Sequence, residues 1–339
     1  MQTAPFLTAP LRSWARHYAA RLTRRQDASL ALLESLIRQE GEHTLVAPPL
    51  PQRWYERWLF RMATRLEADG LLAALRRGHY RALRGAEHPA WRSYQYRGFH
   101  VKHDIRQKSQ WDAYIHGRTQ AGVAYWLERS ASPGATVLDI GANAGVVSLD
   151  LARAVGQHGT VHAFEPNPQA YQLLRQAVSA NGLEGCVEVH TFALGDEDAT
   201  TTLSVPASND GAASLREPGA GERSVTVQVR RFSGWWEARR HPRIDVIKLD
   251  VEGFEARVIN GLEPVLMRDR PVVVMELNPG AYDAAALLEG LRAKGYDSFR
   301  IMAAPPYFSH LLGPVTTQTD VVCLPRVHGR ATGPPLGNP

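Results

Sequence analysis

The residues whose types and spacing could do chemistry are a set of acids, each at the end of a short apolar run. Asp139 stands two residues before Gly141 in TVLDIGANAG (136–145), and Glu165 closes GTVHAFE (159–165). Asp250 and Glu252 lie in IDVIKLDVEG (244–253), and Glu276 and Asn278 fall at the end of PVVVMELN (271–278). Runs of this kind suit strands buried on both faces of a parallel sheet. Ligands of open α/β sheets bind beyond the carboxyl ends of the strands, so these acids are expected along one functional edge. Gly141 and Gly145 have no Cβ to keep a ligand away from the backbone. GANAG lacks the third glycine of a dinucleotide turn. An acid ahead of the loop suits an amino group or a cation better than a phosphate. Glu165 is placed to take both hydroxyls of a ribose. Two carboxylates around a glycine loop describe a site for S-adenosylmethionine (SAM).

The remaining acids fit the acceptor side of such a site. Methyl transfer from a sulfonium to an oxygen is an in-line displacement, and alignment of the partners can contribute roughly 7–11 kcal/mol. An alcohol is a weak nucleophile, so a general base or a metal ion must assist it. Asp250 or Glu252 could take the hydroxyl proton. Alternatively Asp250, Glu276 and Asn278 could ligate a divalent cation of the magnesium or calcium type, which prefers hard oxygen donors. The competing reading is structural: Glu252 or Glu276 caps a helix or pairs with Lys248 or an arginine. Lys248 reads as a charge partner at a strand end. His100, His103, His116 and His190 are further candidate bases, though a lone histidine is more often structural.

The elements that must position these groups follow from pattern. A helix after Gly145 carries Val146, Val147, Leu149, Leu151 and Val155. Strand, glycine turn and helix form half of a nucleotide-binding βαβ unit. Pro168 suits the first turn of the next helix and Asn181-Gly182 its end. Val187–Phe192 is the third strand and 193–198 (ALGDED) a loop. Segments 200–205 and 224–230 alternate as an inserted antiparallel pair, and the Gly/Ser/Asn-rich loop between them is either flexible or a lid. A helix over 254–262, a strand over 271–277 and a helix over 282–294 come next. Short strands near 298–302 and 319–324 complete the sheet. Ahead of it, 91–105 reads as one or two strands and 109–129 as a helix.

The chain has 339 residues, 44% hydrophobic and 22% charged, ordinary for a globular protein. No run approaches the ~18 apolar residues of a membrane span, and the N-terminus lacks the apolar core of a secretory signal. Cys186 and Cys323 form neither a zinc motif nor a disulfide framework. A cytoplasmic setting is the expectation. Residues 1–105 hold 17 Lys+Arg against 9 Asp+Glu, and the remainder 22 against 25. That asymmetry separates a basic region, 1–90, from the domain at 91–330 and a disordered tail at 331–339. Residues 10–84 read as basic amphipathic helices, with Arg53, Arg57, Arg61 and Arg65 at four-residue spacing. They suit a small bundle or dimerisation arm, and so a homo-oligomer, or docking at an anionic inner membrane face or acidic partner. No nucleic-acid motif supports a nucleic-acid partner.

VLDIGANAG, FEPNP, ALGDED, IDVIKLDVEGFEARVINGL and PVVVMELN occur in that order. With them, residues of about 100–325 resemble the FkbM-type family of SAM-dependent methyltransferases. The resemblance implies a class I, Rossmann-like, seven-stranded α/β sheet, here with an inserted β-hairpin and a mainly helical N-terminal extension. It implies O-methylation of a saccharide, glycolipid or natural-product hydroxyl, so the expected partner is a small-molecule or a glycan- or lipid-linked acceptor. It places Asp139, Gly141, Asn143 and Gly145 in the SAM loop, Glu165 on the ribose with Asn167 beside it, and Asp196 at the adenine edge. A non-catalytic SAM-binding scaffold is the alternative of another class. Nucleic-acid methylation ranks lower, because LDVEG stands where amino-methylating enzymes carry a DPPY-like tetrad.

Overall fold

The computed structural model describes residues 80, 83, 88–117, 120–206, 213–215, 219, 222–303, 307–311 and 314–326. The helices expected within 10–84 lie outside these residues apart from Tyr80 and Leu83, as does the tail at 331–339. Strands β1 (Trp91–Tyr96) and β2 (Phe99–Asp104) pair as a two-stranded sheet. The chain divides into two compact units, residues 1–94 with 103–116, and 95–102 with 117–339. The described part of the first contains α1 (Lys108–His116). Its core sets Tyr94 edge-on to Tyr114, with the Tyr94 hydroxyl 3.0 Å from His103 Nδ1.

The second unit is a three-layer α/β fold. Its elements are α2 (Ala121–Ser130), β3 (Thr136–Ile140), α3 (Val146–Val155), β4 (Thr160–Phe164), α4 (Pro168–Ala180), β5 (Val187–His190), β6 (Ala193–Gly195), β7 (Ala199–Pro206), β8 (Glu222–Arg231) and α5 (Phe232–Ala238). There follow β9 (Val246–Leu249), α6 (Glu255–Gly261), α7 (Glu263–Arg268), β10 (Val272–Leu277), α8 (Ala284–Ala293), β11 (Tyr296–Ile301), β12 (Phe308–His310) and β13 (Thr319–Pro325). The main sheet runs β12-β11-β13-β10-β9-β3-β4-β5. Neighbours from β5 to β10 are parallel, and β13 is antiparallel to both β10 and β11.

Residue parity decides which layer each side chain meets, because successive strand residues point to opposite faces. Val137, Val161, Val246 and Val274 pack with Trp126, Leu151, Val155 and Leu174 of α2, α3 and α4. Leu138, Phe164, Ile247 and Met275 pack instead with Trp235, Val258, Leu266 and Leu291 of α5 to α8. Both faces are buried, which is why the strands read as unbroken apolar runs.

Several expectations are corrected. The main sheet has eight strands, since β12 adds an edge of three residues beyond the expected seven. Such a short piece, following AAPPY, carries no alternation to read. ALGDED is not wholly a loop: β6 runs parallel to β8, making the expected hairpin a three-stranded sheet, β6-β8-β7. The third core strand stops at His190 for that reason. The helix expected over 109–129 is two, parted at Gly117 with φ +67°. Helix α5 was not expected, since FSGWWEA has weak helix formers; it forms because Phe232, Trp235 and Trp236 bury on one side.

Leu138 is fully buried in the central strand. Leu138→Ala is expected to lower unfolding stability by about 2.5–5 kcal/mol in a denaturant titration, with the fold retained.

Candidate active site

Strand register sets the expected site residues in one row. Ile140 pairs with Phe164 and with Leu249, and Leu249 pairs with Met275. One residue further on, Glu165, Gly141, Asp250 and Glu276 therefore succeed one another across the sheet edge. Glu276 in turn faces Asp320 of β13. These acids also share the parity that points them to the layer of α2, α3 and α4. Asp320 was missed by sequence reasoning, because an acid at the start of a late antiparallel strand joins the row only once the register is known.

The glycine loop is held by its own backbone. Gly141 N–H and Ala142 N–H both donate to the Phe164 carbonyl at 3.0 Å. A Cβ at Gly141 would stand 1.8 Å from the Asp250 carbonyl oxygen, at φ +81°. Gly145 caps α3 at φ +88°, where a Cβ would meet the Leu174 side chain. Asn143 takes φ +50°, which short polar side chains tolerate. Glu165 binds the loop from the next strand. Its carboxylate accepts Asn143 N–H at 2.8 Å and Asn167 N–H at 2.7 Å. An ionised carboxylate has about four acceptor sites. Asn167 caps α4 by accepting Gln169 N–H at 3.2 Å. Its buried Nδ2 has no hydrogen-bond partner among the described residues. An acceptor-rich carboxylate beside an orphaned amide donor fits a ribose-bearing cofactor such as SAM.

Asp139 lies beneath this loop rather than in it. It is fully buried, accepts the Ser148 hydroxyl at 2.6 Å and stands 3.4 Å from Lys248 Nζ. Lys248 donates to the Gly141 carbonyl at 2.7 Å and lies 3.7 Å from Asp250. Burial alone would lower the Lys248 ammonium; Asp139 and Asp250 outweigh it and hold its pKa above the usual value. Asp196, expected at the adenine edge, accepts Arg257 Nε at 2.6 Å.

Beyond Lys248 the acids crowd together. One ligand oxygen from each of Asp250, Glu252 and Glu276 lies within 4.8 Å of the others. Burial, then Asp250 and Glu255, push the Glu252 carboxyl up to about 7. Burial, then Asp250, Glu252 and Asp320, push Glu276 up to about 8, although Gln318 donates to it at 2.6 Å. Asp320 rises to about 6 through burial and Asp250. Glu252 sits at φ +53°, in a turn fixed by Glu255. The buried Glu255 carboxylate accepts Val251 N–H at 3.0 Å and Gly253 N–H at 3.0 Å. Ser214 of the inserted loop donates to the Glu252 carbonyl at 2.6 Å. Asn278 sits in the turn after β10, its N–H donating to the Tyr282 hydroxyl at 3.1 Å and its Oδ1 lying beside Gly280. None of the four candidate histidines joins the group: His100 meets Gln95, His103 meets Tyr94, His116 meets Asp112 and His190 meets Glu188.

The folded protein holds a proton on Glu276 between its ordinary 4.5 and about 8, where the unfolded chain has lost it. Stability therefore falls as pH rises through that window. Glu276→Gln is expected to raise the melting temperature by roughly 5 °C at pH 9 and to leave it unchanged near pH 4, read by calorimetry.

Comparison with known proteins finds methyltransferases. Residues 139–298 match the family described as the methyltransferase FkbM domain. "Methyltransferase 1" of Beauveria bassiana (strain ARSEF 2860) is 27% identical over 179 residues, covering 47% of this chain and 71% of that protein. "Methyltransferase sdnD" of Sordaria araneosa is 28% identical over 208 residues, covering 51% and 78%. Among solved structures, the methyltransferase FkbM of Methylobacillus flagellatus KT aligns with a TM-score of 0.36 and 13% identity, over 76% of this chain and 61% of that one. Residues 139–298, which hold Asp139, Glu165, Asp250, Glu252 and Glu276, thus carry the match to the FkbM methyltransferase domain.

Proposed function

We propose that the protein is a SAM-dependent O-methyltransferase acting on a hydroxyl of a saccharide, glycolipid or natural product. The observation that carries the hydroxyl reading is the pair Glu252 and Glu276, carboxyls lifted to about 7 and about 8 beside Asp250. A general base works best with a pKa near the operating pH. An ordinary carboxylate is too weak to take a proton from an alcohol, whereas these two are stronger by several powers of ten.

SAM supplies an electrophilic methyl group on a sulfonium. Glu165 and Asn167 would hold the ribose, with the Asn143–Gly145 backbone beside it. Lys248 and Asp139 fix the Gly141 carbonyl and Asp250 from below. Glu252 accepts the proton of the incoming hydroxyl, with Glu276 as its neighbour in the shared charge. Asp250 stays close to Lys248 and orients the acceptor. Glu255 keeps the Glu252 turn in place, and Asp196 and Arg257 border the site on the α6 side.

A divalent cation is the second reading, favoured by the three converging acid oxygens. Asp250, Glu252 and Glu276 fit a hard cation of the magnesium or calcium type, with Asn278 in the adjoining turn. A cation there would offset the like-charge repulsion that adds to burial in lifting the carboxyls.

A screen of polyol, glycoside and phenol acceptors with labelled SAM tests the proposal. Glu252→Gln is expected to lower kcat by about 10²–10⁴ with the KM for SAM unchanged. The parent's kcat/KM should rise with pH and level off above about 7–8, where the base is ionised. Methyl transfer confined to amines or guanidines would overturn the hydroxyl reading. A chelator that abolishes turnover, with recovery by magnesium, would favour the cation over the direct base.

A further inference from the structure

The opposite face of the sheet carries a second group of chemically competent side chains that the methyltransferase reading does not use. His162 of β4 and His190 of β5 share a parity, as do Phe164 and Glu188, and their register sets His162 beside Glu188 and Phe164 beside His190. That parity is the one facing α5, not the one facing the acids. We propose that His162, His190 and Glu188 form a binding site for a late first-row divalent metal ion of the zinc class.

The geometry is close to what such an ion needs. His162 Nδ1 is 3.1 Å from one Glu188 oxygen and His190 Nε2 is 3.8 Å from the other. One ligand atom from each of the three lies within 4.8 Å of the others. Tetrahedral zinc with bonds of about 2.0–2.1 Å separates its ligand atoms by roughly 3.4 Å. Two imidazoles and one carboxylate form a known zinc donor set, leaving the fourth position for water or another ligand.

Both imidazoles are more than nine-tenths buried; His162 Nδ1 meets Glu188 alone, and His190 Nε2 has no hydrogen-bond partner among the described residues. Buried polar atoms are seldom left so. The rings are held in place. His190 stacks on Phe164 at 4.5 Å, and Trp235 meets His162 edge-on at 4.9 Å. The Glu188 side chain is 47% exposed, which provides an entry path from the sheet edge.

Arg239 is the competitor. Its guanidinium pairs with Glu188 and lies over the Trp235 ring at 4.7 Å. Arg239 follows α5 at its C-terminal cap, so its side chain can turn to solvent and release the carboxylate. Imidazole donors favour zinc-like ions, while the all-oxygen group on the other face favours magnesium or calcium. The two sites are thus separable by metal type, and this inference does not rest on the methyltransferase assignment.

Calorimetric titration of the full chain with Zn²⁺, and its melting temperature with and without Zn²⁺, test the proposal. One equivalent is expected to bind and raise melting by roughly 5–10 °C at a hundredfold excess over Kd. Co²⁺ should give the visible bands of a tetrahedral site. His162→Gln with His190→Gln should abolish both effects, and Arg239→Gln should tighten binding about tenfold by removing the competing charge, read as Kd. Glu252→Gln with Glu276→Gln should leave Zn²⁺ binding unchanged. If the histidine variant does not fold, Glu188→Gln at the exposed ligand, with a weaker Kd expected, and Arg239→Gln decide the matter. The proposal is overturned if neither parent nor Arg239→Gln binds Zn²⁺, if the histidine variant keeps the parent isotherm, if Glu188→Gln leaves Kd unmoved, or if binding is lost in the Glu252/Glu276 variant instead.

Discussion

One buried ammonium organises the functional edge. Lys248 comes out of water on the middle of the sheet, a transfer that is costly for any isolated charge. It is sustained by Asp139 at 3.4 Å, Asp250 at 3.7 Å and the Gly141 carbonyl at 2.7 Å. These three partners belong to different parts of the site: the strand under the glycine loop, the acid that follows the Lys248 strand and the loop itself. Loss of either member of a buried pair costs about 3–5 kcal/mol. Asp139 and Lys248 therefore depend on each other before either can serve a ligand. Asp139 is held by Lys248 and Ser148.

The second constraint is geometric. Neighbouring strands lie about 4.8 Å apart, and in-register pairing sets their ends side by side. Glu165, Gly141, Asp250, Glu276 and Asp320 thus form a row without any long-range device beyond the ladder. Parity does the rest. Every acid of the row shares the face of Val137, Val161, Val246 and Val274, while the histidines share that of Phe164. A single sheet so presents an oxygen-rich edge on one side and an imidazole pair on the other. A one-residue slip in any strand would move its acid to the wrong layer.

Much of this was legible in the residues and some of it was not. The apolar runs, the Gly141 and Gly145 turn, the strand-end position of Glu165 and the Asp250–Glu252 turn follow from local pattern, since strand burial and glycine conformation are local facts. Asp320, Glu255 and the burial of Lys248 required partners distant in sequence. Asp320 sits 44 positions after Glu276 and meets it only through antiparallel pairing with β10. Glu255 stands in the first turn of α6, and its role comes from the two backbone amides it satisfies. The role of α5 was hidden because burial of three aromatics overrides weak helix propensity. The edge strand β12 was too short to leave a periodic trace.

A tension remains between stability and chemistry at the acid cluster, and it explains why a lone lysine suffices. Full neutralisation would need a cation for each of Asp250, Glu252, Glu276 and Asp320. Lys248 lies within ion-pair distance of Asp250 and lowers Glu252 and Asp320 only partly. Glu252 and Glu276 are left half-buried beside like charge, and both are lifted toward neutrality. That arrangement destabilises the fold at high pH. Burial, with that repulsion added, gives Glu252 and Glu276 the proton affinity that the proposed base would need. A lysine in place of Asp320 would remove one of the like charges that act on Glu276 and leave the larger cause, burial, in place.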